Sequence, residues 1–275
     1  MNDVSAPIGV FDSGLGGLTA VKELTKLLPN ENIVYFGDTG RVPYGTKSEQ
    51  TIISYARQDI NFLLSKNIKY ILAACGTVSV IMDSEAVSKA VSEIPFMGIV
   101  EAASEAAVKL SVNKNIGVIG TRAAIKSRAY ERCIKRLCVE AKISSVACPL
   151  FVSLVEEGRF SDDDKAVRLI AREYLKELKS SGIDVLILGC THFPLLHDVI
   201  SETMGKKVKL IDGGKAAAFK IKNELTERGM LNPGNQKGTV EYYVSDVVEG
   251  FYENASIFME GLDGSKVERT FIENF

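Results

Sequence analysis

Two cysteines stand in matched surroundings. Cys75 follows the apolar run 70–74 and precedes Gly76-Thr77, while Cys190 follows the apolar run 185–188 and Gly189 and precedes Thr191-His192. Apolar runs of that length read as buried strands. Each thiol is therefore expected at a strand end beside the start of the next helix, where the helix dipole favours a thiolate. Either cysteine alone reads more readily as a small buried hydrophobe. As a pair at equivalent strand ends of two related halves, they would face each other across a cleft. One thiol could then take a proton from one face of a carbon and the other return one to the opposite face. The strings YILAACGT and DVLILGCTH are alike enough to read as a weak internal duplication.

Other groups gather at the same strand ends. Of the two histidines, His192 is adjacent to Cys190-Thr191 and suits a base or a substrate ligand. His197, in a helical stretch after Pro194, reads as solvated or packed. The loop Asp12-Ser13-Gly14-Leu15-Gly16-Gly17 separates a strand from a helix, and its N–H groups could hold a phosphate or a carboxylate; a glycine turn that permits close packing is the plainer reading. The dinucleotide fingerprint requires glycine at its first, third and sixth positions, and here Gly14 and Gly16 are followed by Thr19. Asp38 stands about where a ribose-binding acid would, so nucleotide binding stays open as a minor alternative. Cys133, Cys138 and Cys148 read as structural thiols, and no His/Cys/Asp cluster has metal-ligand spacing.

The elements that must position these groups follow from the hydrophobic pattern. Short β-rich runs alternate with charge-rich amphipathic stretches, the signature of an α/β fold with parallel sheets covered on both faces. Strands are expected over 8–11, 32–36, 70–74, 96–99, 115–119, 143–147, 185–188 and 207–211. Helices are expected over 18–28, 49–66, 101–110, 127–137, 162–180 and 214–228. A strand over 239–245 and a helix over 247–259 close the chain. Right-handed crossovers bring the C-terminal strand ends to one edge, where open α/β sheets bind ligands. The breaks near 98 and 205–208 divide the chain into a first lobe, 1–98 plus 208–275, and a second, 99–207.

Composition limits the function classes. A chain of 275 residues holds one large or two modest domains. Its 33 basic against 35 acidic residues, net −2, lack the basic excess that nucleic-acid binding requires. The apolar runs are strand-sized and too short to span a membrane. Met1-Asn2-Asp3 has an acid where a secretion signal would have Lys or Arg, so the cytoplasm is the expected compartment. Five cysteines, an odd number without a CxxC pair, read as reduced thiols.

The runs IGVFDSGLGGLTAVKEL, YFGDTGRVPYGTKS, ILAACGT, GVIGTRAAIKSRAY, CPLFVSLVEEG and LILGCTHFPLL, in that order, resemble the glutamate racemase family from about residue 8 to about residue 260. The resemblance implies two similar α/β lobes, one of them discontinuous, with the active site in the cleft between them. It also implies interconversion of L- and D-glutamate without a cofactor or metal, supplying D-glutamate for peptidoglycan, with a small amino acid as the partner and a homodimer as the expected assembly. Carried onto this chain, Cys75 and Cys190 would be the acid/base thiols, and Asp12 and His192 the polar neighbours that move protons to and from them. Ser13, Tyr44, Gly45, Gly76, Thr77, Thr121 and Thr191, with Asp12 and His192, would hold the substrate, and Glu157 lies in a matching segment. Three positions depart from the family pattern: Gly76 where Asn is usual, Ala124 where Thr is usual and Ser153 where Pro is usual. An amide lost from a charged substrate contact is worth about 1.5–3 kcal/mol. The Gly76 departure leaves two alternatives, a racemase of a related amino acid such as aspartate and a catalytically weak member that binds an acidic amino acid.

Overall fold

The computed structural model describes residues 3–79, 81, 87, 94–249, 251–262 and 266–275. Strands β1 (Ile8–Asp12), β2 (Ile33–Gly37), β3 (Tyr70–Ala73) and β4 (Phe96–Gly98) are followed by β5 (Asn115–Gly120), β6 (Lys142–Ala147), β7 (Val185–Gly189) and β8 (Lys209–Asp212). Two late strands, β9 (Val240–Val244) and β10 (Val267–Arg269), complete the set among the described residues. They form two sheets, ordered β10-β9-β2-β1-β3-β4 and β6-β5-β7-β8, in which every pairing is parallel. β1, β2, β3 and β7 are buried along their whole length, which is why they read as unbroken apolar runs rather than as alternating ones. β6 contains Ser144 and Ser145 and is only partly covered, as an edge strand can be.

Helices cover both sheets and begin where the sequence supplies caps. Ser48 accepts the Thr51 N–H, Asp164 the N–H groups of Ala166 and Val167, and Asp212 those of Gly214 and Lys215. The helix Gly213–Glu227 packs on both Leu18–Leu27 and Ile99–Leu110, so it joins the two lobes. Its small residues allow the approach. A Cβ on Gly214 would stand 3.0 Å from the Ala20 Cα, and one on Gly213 would stand 2.8 Å from the Ile99 Cγ1.

The sheets do not divide the chain at 208. β8 pairs with β7, from Val185↔Lys209 to Leu188↔Asp212, and Ile211 is buried in the second lobe's core beside Val185 and Ile187. First-sheet strands resume only at Val240. The helices Arg122–Ser127 and Pro149–Glu156 and the strand β10 were not expected. Pro149 stands at the first turn of its helix, where proline forfeits no hydrogen bond. β10 has three residues, two of them charged, which is too little pattern to read.

On the edge of the first sheet away from the strand C-termini, Lys69 and Glu31 form a buried ion pair at 2.5 Å. The Lys69 ammonium also donates to the Val4 and Met230 carbonyls, and Glu31 accepts the Asn232 N–H at 2.8 Å. Lys69→Ala leaves a carboxylate buried without its partner and should cost about 3–5 kcal/mol in urea denaturation. The paired change Glu31→Gln with Lys69→Met should recover a large part of that loss.

Candidate active site

The C-terminal edges of the two sheets meet, and glycines make the meeting possible. A Cβ on Gly16 would lie 2.2 Å from Thr191 Oγ1 and 3.1 Å from His192 Cε1, so no larger residue fits without displacing the opposite lobe. A Cβ on Gly76 would lie 3.2 Å from the Gly189 carbonyl, and one on Gly45 would lie 3.4 Å from the Ala123 Cβ. The ends of β3 and β7, which carry Cys75 and Cys190, thus approach backbone to backbone. At Gly76 this contact is tight enough that a side chain would have to push the Gly189 carbonyl aside.

Cys75 is almost fully buried, with its sulfur 3.3 Å from the Ser13 hydroxyl. Burial pushes the thiol up to about 12 and the Asp12 carboxylate adds to the rise; the Ser13 hydroxyl and the N–H groups of Val78 and Ser13 act against it. Asp12 is itself buried. Burial raises its carboxyl above the usual range, opposed chiefly by the Gly17 N–H, which donates to it at 2.8 Å. The loop carrying Ser13 is fastened from below by Tyr35, whose hydroxyl donates to the Gly14 carbonyl at 2.7 Å.

Cys190 has a different neighbourhood. Its sulfur is 3.7 Å from His192 Nδ1, which is also 3.4 Å from the Thr191 hydroxyl, and His192 Nε2 is 3.2 Å from Glu156 Oε1. The Phe258 ring meets the imidazole edge to face, with centroids 5.0 Å apart. Burial works against the imidazolium, but the Cys190 sulfur and the Glu156 carboxylate outweigh it and hold His192 up at about 10. Tyr130 is buried with its ring against Gly189, and its hydroxyl ionisation is opposed by burial and by Cys190, Cys133 and Cys75. Both thiols therefore lie within electrostatic reach of one tyrosine.

The remaining expected residues divide. Thr191 is buried against Gly16, and Thr121 caps the helix Arg122–Ser127 by accepting the Ala124 N–H at 3.2 Å. Gly45 is exposed, and its position lies 4.0 Å from Thr77 Oγ1, measured from where a Cβ would stand. Tyr44 opens the short helical turn Tyr44–Thr46. Its side chain is buried, with the hydroxyl against Asp38 and 3.0 Å from Asp59, and Arg41 bridges Asp38 at 2.6 Å and Asp59 at 3.0 Å. The same network engages Oδ2 of the fully buried Asp38 with Arg41 and Tyr44. Burial and the neighbouring Asp38 raise Asp59 well above the usual carboxylate range.

The acid that reaches His192 is Glu156; Glu157 is exposed at the end of the helix. A helix recognised from Pro149 would have pointed to it, because Phe151 and Val155 face inward and Glu156 flanks them. Tyr35 was also missed, although a phenol within a fully buried strand needs a partner. His197 pairs with Asp198 at the surface. Among the described residues no three His, Cys, Asp or Glu side chains are grouped to hold a metal, and no helix is long and apolar enough to cross a membrane.

A profile of the Asp/Glu/hydantoin racemase family matches residues 19–221. A glutamate racemase from Geobacter metallireducens is 44% identical over 254 residues, 92% of this chain and 93% of that one. The chain belongs to the Asp/Glu/hydantoin racemase family. Within it, glutamate racemase 3 of Caldanaerobacter subterraneus is 43% identical over 93% of this chain and 91% of its own. The crystal structure of the Francisella tularensis glutamate racemase, in complex with D-glutamate, superposes with a TM-score of 0.89 at 36% identity, covering 99% of this chain and all of the other. The two-lobed racemase fold is thus shared over the whole length.

The geometry makes two predictions. Gly16→Ala should destabilise the protein by about 1–3 kcal/mol, read by thermal melting, because the added methyl collides with Thr191 across the cleft. In an NMR titration of the His192 Cε1–H, Cys190→Ser should lower the midpoint. Glu156→Gln should lower it by less, since the Glu156 side chain is 59% exposed and water screens it. The sign follows from linkage. A His192 raised from 6.5 to about 10 stabilises the fold fully below about 6.5, and this contribution disappears as pH rises through 10. A midpoint unmoved by Cys190→Ser would contradict the pairing.

Proposed function

We propose that this member of the racemase family interconverts L- and D-glutamate by a two-cysteine acid/base mechanism without a cofactor, and that the D-glutamate serves peptidoglycan synthesis. The observation that carries the reading is the approach of the two cysteine-bearing strand ends, each sulfur having its own polar partners: Ser13 and Asp12 at Cys75, His192 and Glu156 at Cys190. With the substrate α-carbon between the sulfurs, a thiolate on one face takes the α-proton. The C–H bonding pair passes to the α-carbon and is delocalised into the carboxylate. The thiol on the other face then gives its proton to that carbon and keeps the S–H pair, so the thiol and thiolate have exchanged places and the configuration is inverted.

The α-proton of an amino acid is a very weak acid, so fixed donors must meet the charge that develops on the carboxylate. Backbone N–H groups beyond β1, β3 and β7, together with the hydroxyls of Ser13, Thr77, Thr121 and Thr191, are suited to that task. The two thiols begin in opposite states. Burial keeps Cys75 protonated at neutral pH, whereas Cys190 has the His192 imidazolium within 3.7 Å of its sulfur. Relatives more than 40% identical over nine-tenths of the chain are named glutamate racemases, which favours glutamate over aspartate as the substrate.

Cys75→Ala and Cys190→Ala should each lower racemisation by about a hundredfold or more, measured by chiral chromatography with L- and D-glutamate, while circular dichroism stays that of the native fold. Wild-type racemisation by either variant would contradict the mechanism. L-Aspartate in the same assay should be turned over more slowly than L-glutamate. The rate should follow a bell-shaped pH profile, because both the fully protonated and the fully ionised pair lack one of the two required states.

A further inference from the structure

We propose that Tyr35 is a positioning residue for the reaction: by binding the Gly14 carbonyl, its hydroxyl holds Ser13 against the Cys75 sulfur. The inference rests on the two-cysteine reading above. Tyr35 lies in the middle of β2, fully buried, and its hydroxyl meets the Gly14 carbonyl at 2.7 Å. Gly37, two residues further along the same face of the strand, makes room for that carbonyl. A Cβ there would be 2.6 Å from the Gly14 oxygen and 3.3 Å from Tyr35 Cε1. β2 thus presents a slot, a phenol on one side and a missing side chain on the other, that receives one carbonyl of the neighbouring loop.

That loop is the one that needs fastening. Gly14, Gly16 and Gly17 give it wide conformational freedom, and it carries Ser13, whose hydroxyl is 3.3 Å from the Cys75 sulfur. Among the described residues three side chains bond to its backbone: Asp12 accepts the Gly17 N–H at 2.8 Å, the Thr19 hydroxyl donates to the Gly16 carbonyl at 2.9 Å, and Tyr35 holds Gly14. Of these, Tyr35 acts on the residue directly after Ser13. With that bond lost, the Gly14 peptide is free to turn, and the Ser13 donors turn with it. The titratable groups that bear on Cys75 are Asp12 from the end of β1, Tyr35 from β2 and Tyr130 from the opposite lobe. Tyr35 stays neutral because burial, Asp12 and Cys75 all oppose its ionisation, so it serves as a fixed donor.

The test compares wild type, Y35F, S13A and the double variant with α-protiated and α-deuterated L- and D-glutamate. Y35F should lower kcat/KM by about tenfold to a hundredfold, equally in both directions because the equilibrium constant is one. The primary isotope effect should rise for the enantiomer that Cys75 deprotonates and fall for the other, in the same sense as in S13A. Loosening of the fold in general would not split the two enantiomers in this way. The double variant should lie within about threefold of the weaker single variant, since both changes break one chain of contacts. Wild-type kinetics in Y35F, an isotope effect that moves alike for both enantiomers, or fully multiplicative losses would overturn the proposal. If S13A and Cys75→Ala leave racemisation and its isotope effects untouched, the two-cysteine reading itself fails; if they act and Y35F does not, only the role of Tyr35 fails. Should Y35F lose the native circular dichroism, Gly37→Ala presses on the same carbonyl from the other side, and the same split isotope effects are expected.

Discussion

The contact on which the rest of the site depends is the meeting of two parallel sheets at their C-terminal edges, backbone against backbone, where Gly16 abuts Thr191 and Gly76 faces the Gly189 carbonyl. Parallel strands deliver their loops to one edge, and the loops after β3 and β7 begin with Cys75 and Cys190. A side chain at Gly16 would collide with Thr191, and one at Gly76 would press on the Gly189 carbonyl. The helix Gly213–Glu227 repeats the device on a larger scale, with small residues that let it lie against a helix from each lobe.

The two halves of the cleft are alike in backbone and unlike in electrostatics. Cys75 is deep, beside a buried carboxylate, and its charge is supported only by neutral donors from Ser13 and Val78. Cys190 lies beside an imidazole that carries charge through neutral pH and is backed by an exposed acid. A reaction that runs equally in both directions does not require the two bases to be alike; it requires one proton between them.

Much of this was legible in the sequence. β1, β2, β3 and β7 are buried on both faces and so are written as apolar runs, and the reactive residues follow them directly. What was not legible depends on partners distant in the chain. The orientation of the Tyr44 side chain is decided by Asp59 and Arg41, in a network that no local pattern announces. That the chain stays with the second sheet past 208 depends on Ile211 joining the core formed with Val185 and Ile187. Glu156 and Glu157 cannot be separated until the helix phase from Pro149 is known, and Tyr35 gains significance only when β2 is seen beneath the glycine loop.

The central claim, that two sulfurs act on opposite faces of one carbon, is tested most directly by the early distribution of deuterium during turnover of L-glutamate in deuterated water. At low conversion the newly formed D-glutamate should carry deuterium at the α-carbon while the remaining L-glutamate stays protiated, because the product's proton comes from the second, solvent-exchanged thiol. Deuterium entering residual L-glutamate as fast as D-glutamate appears, or product that retains the substrate's own α-proton, would mean a single base serves both faces and would contradict the account.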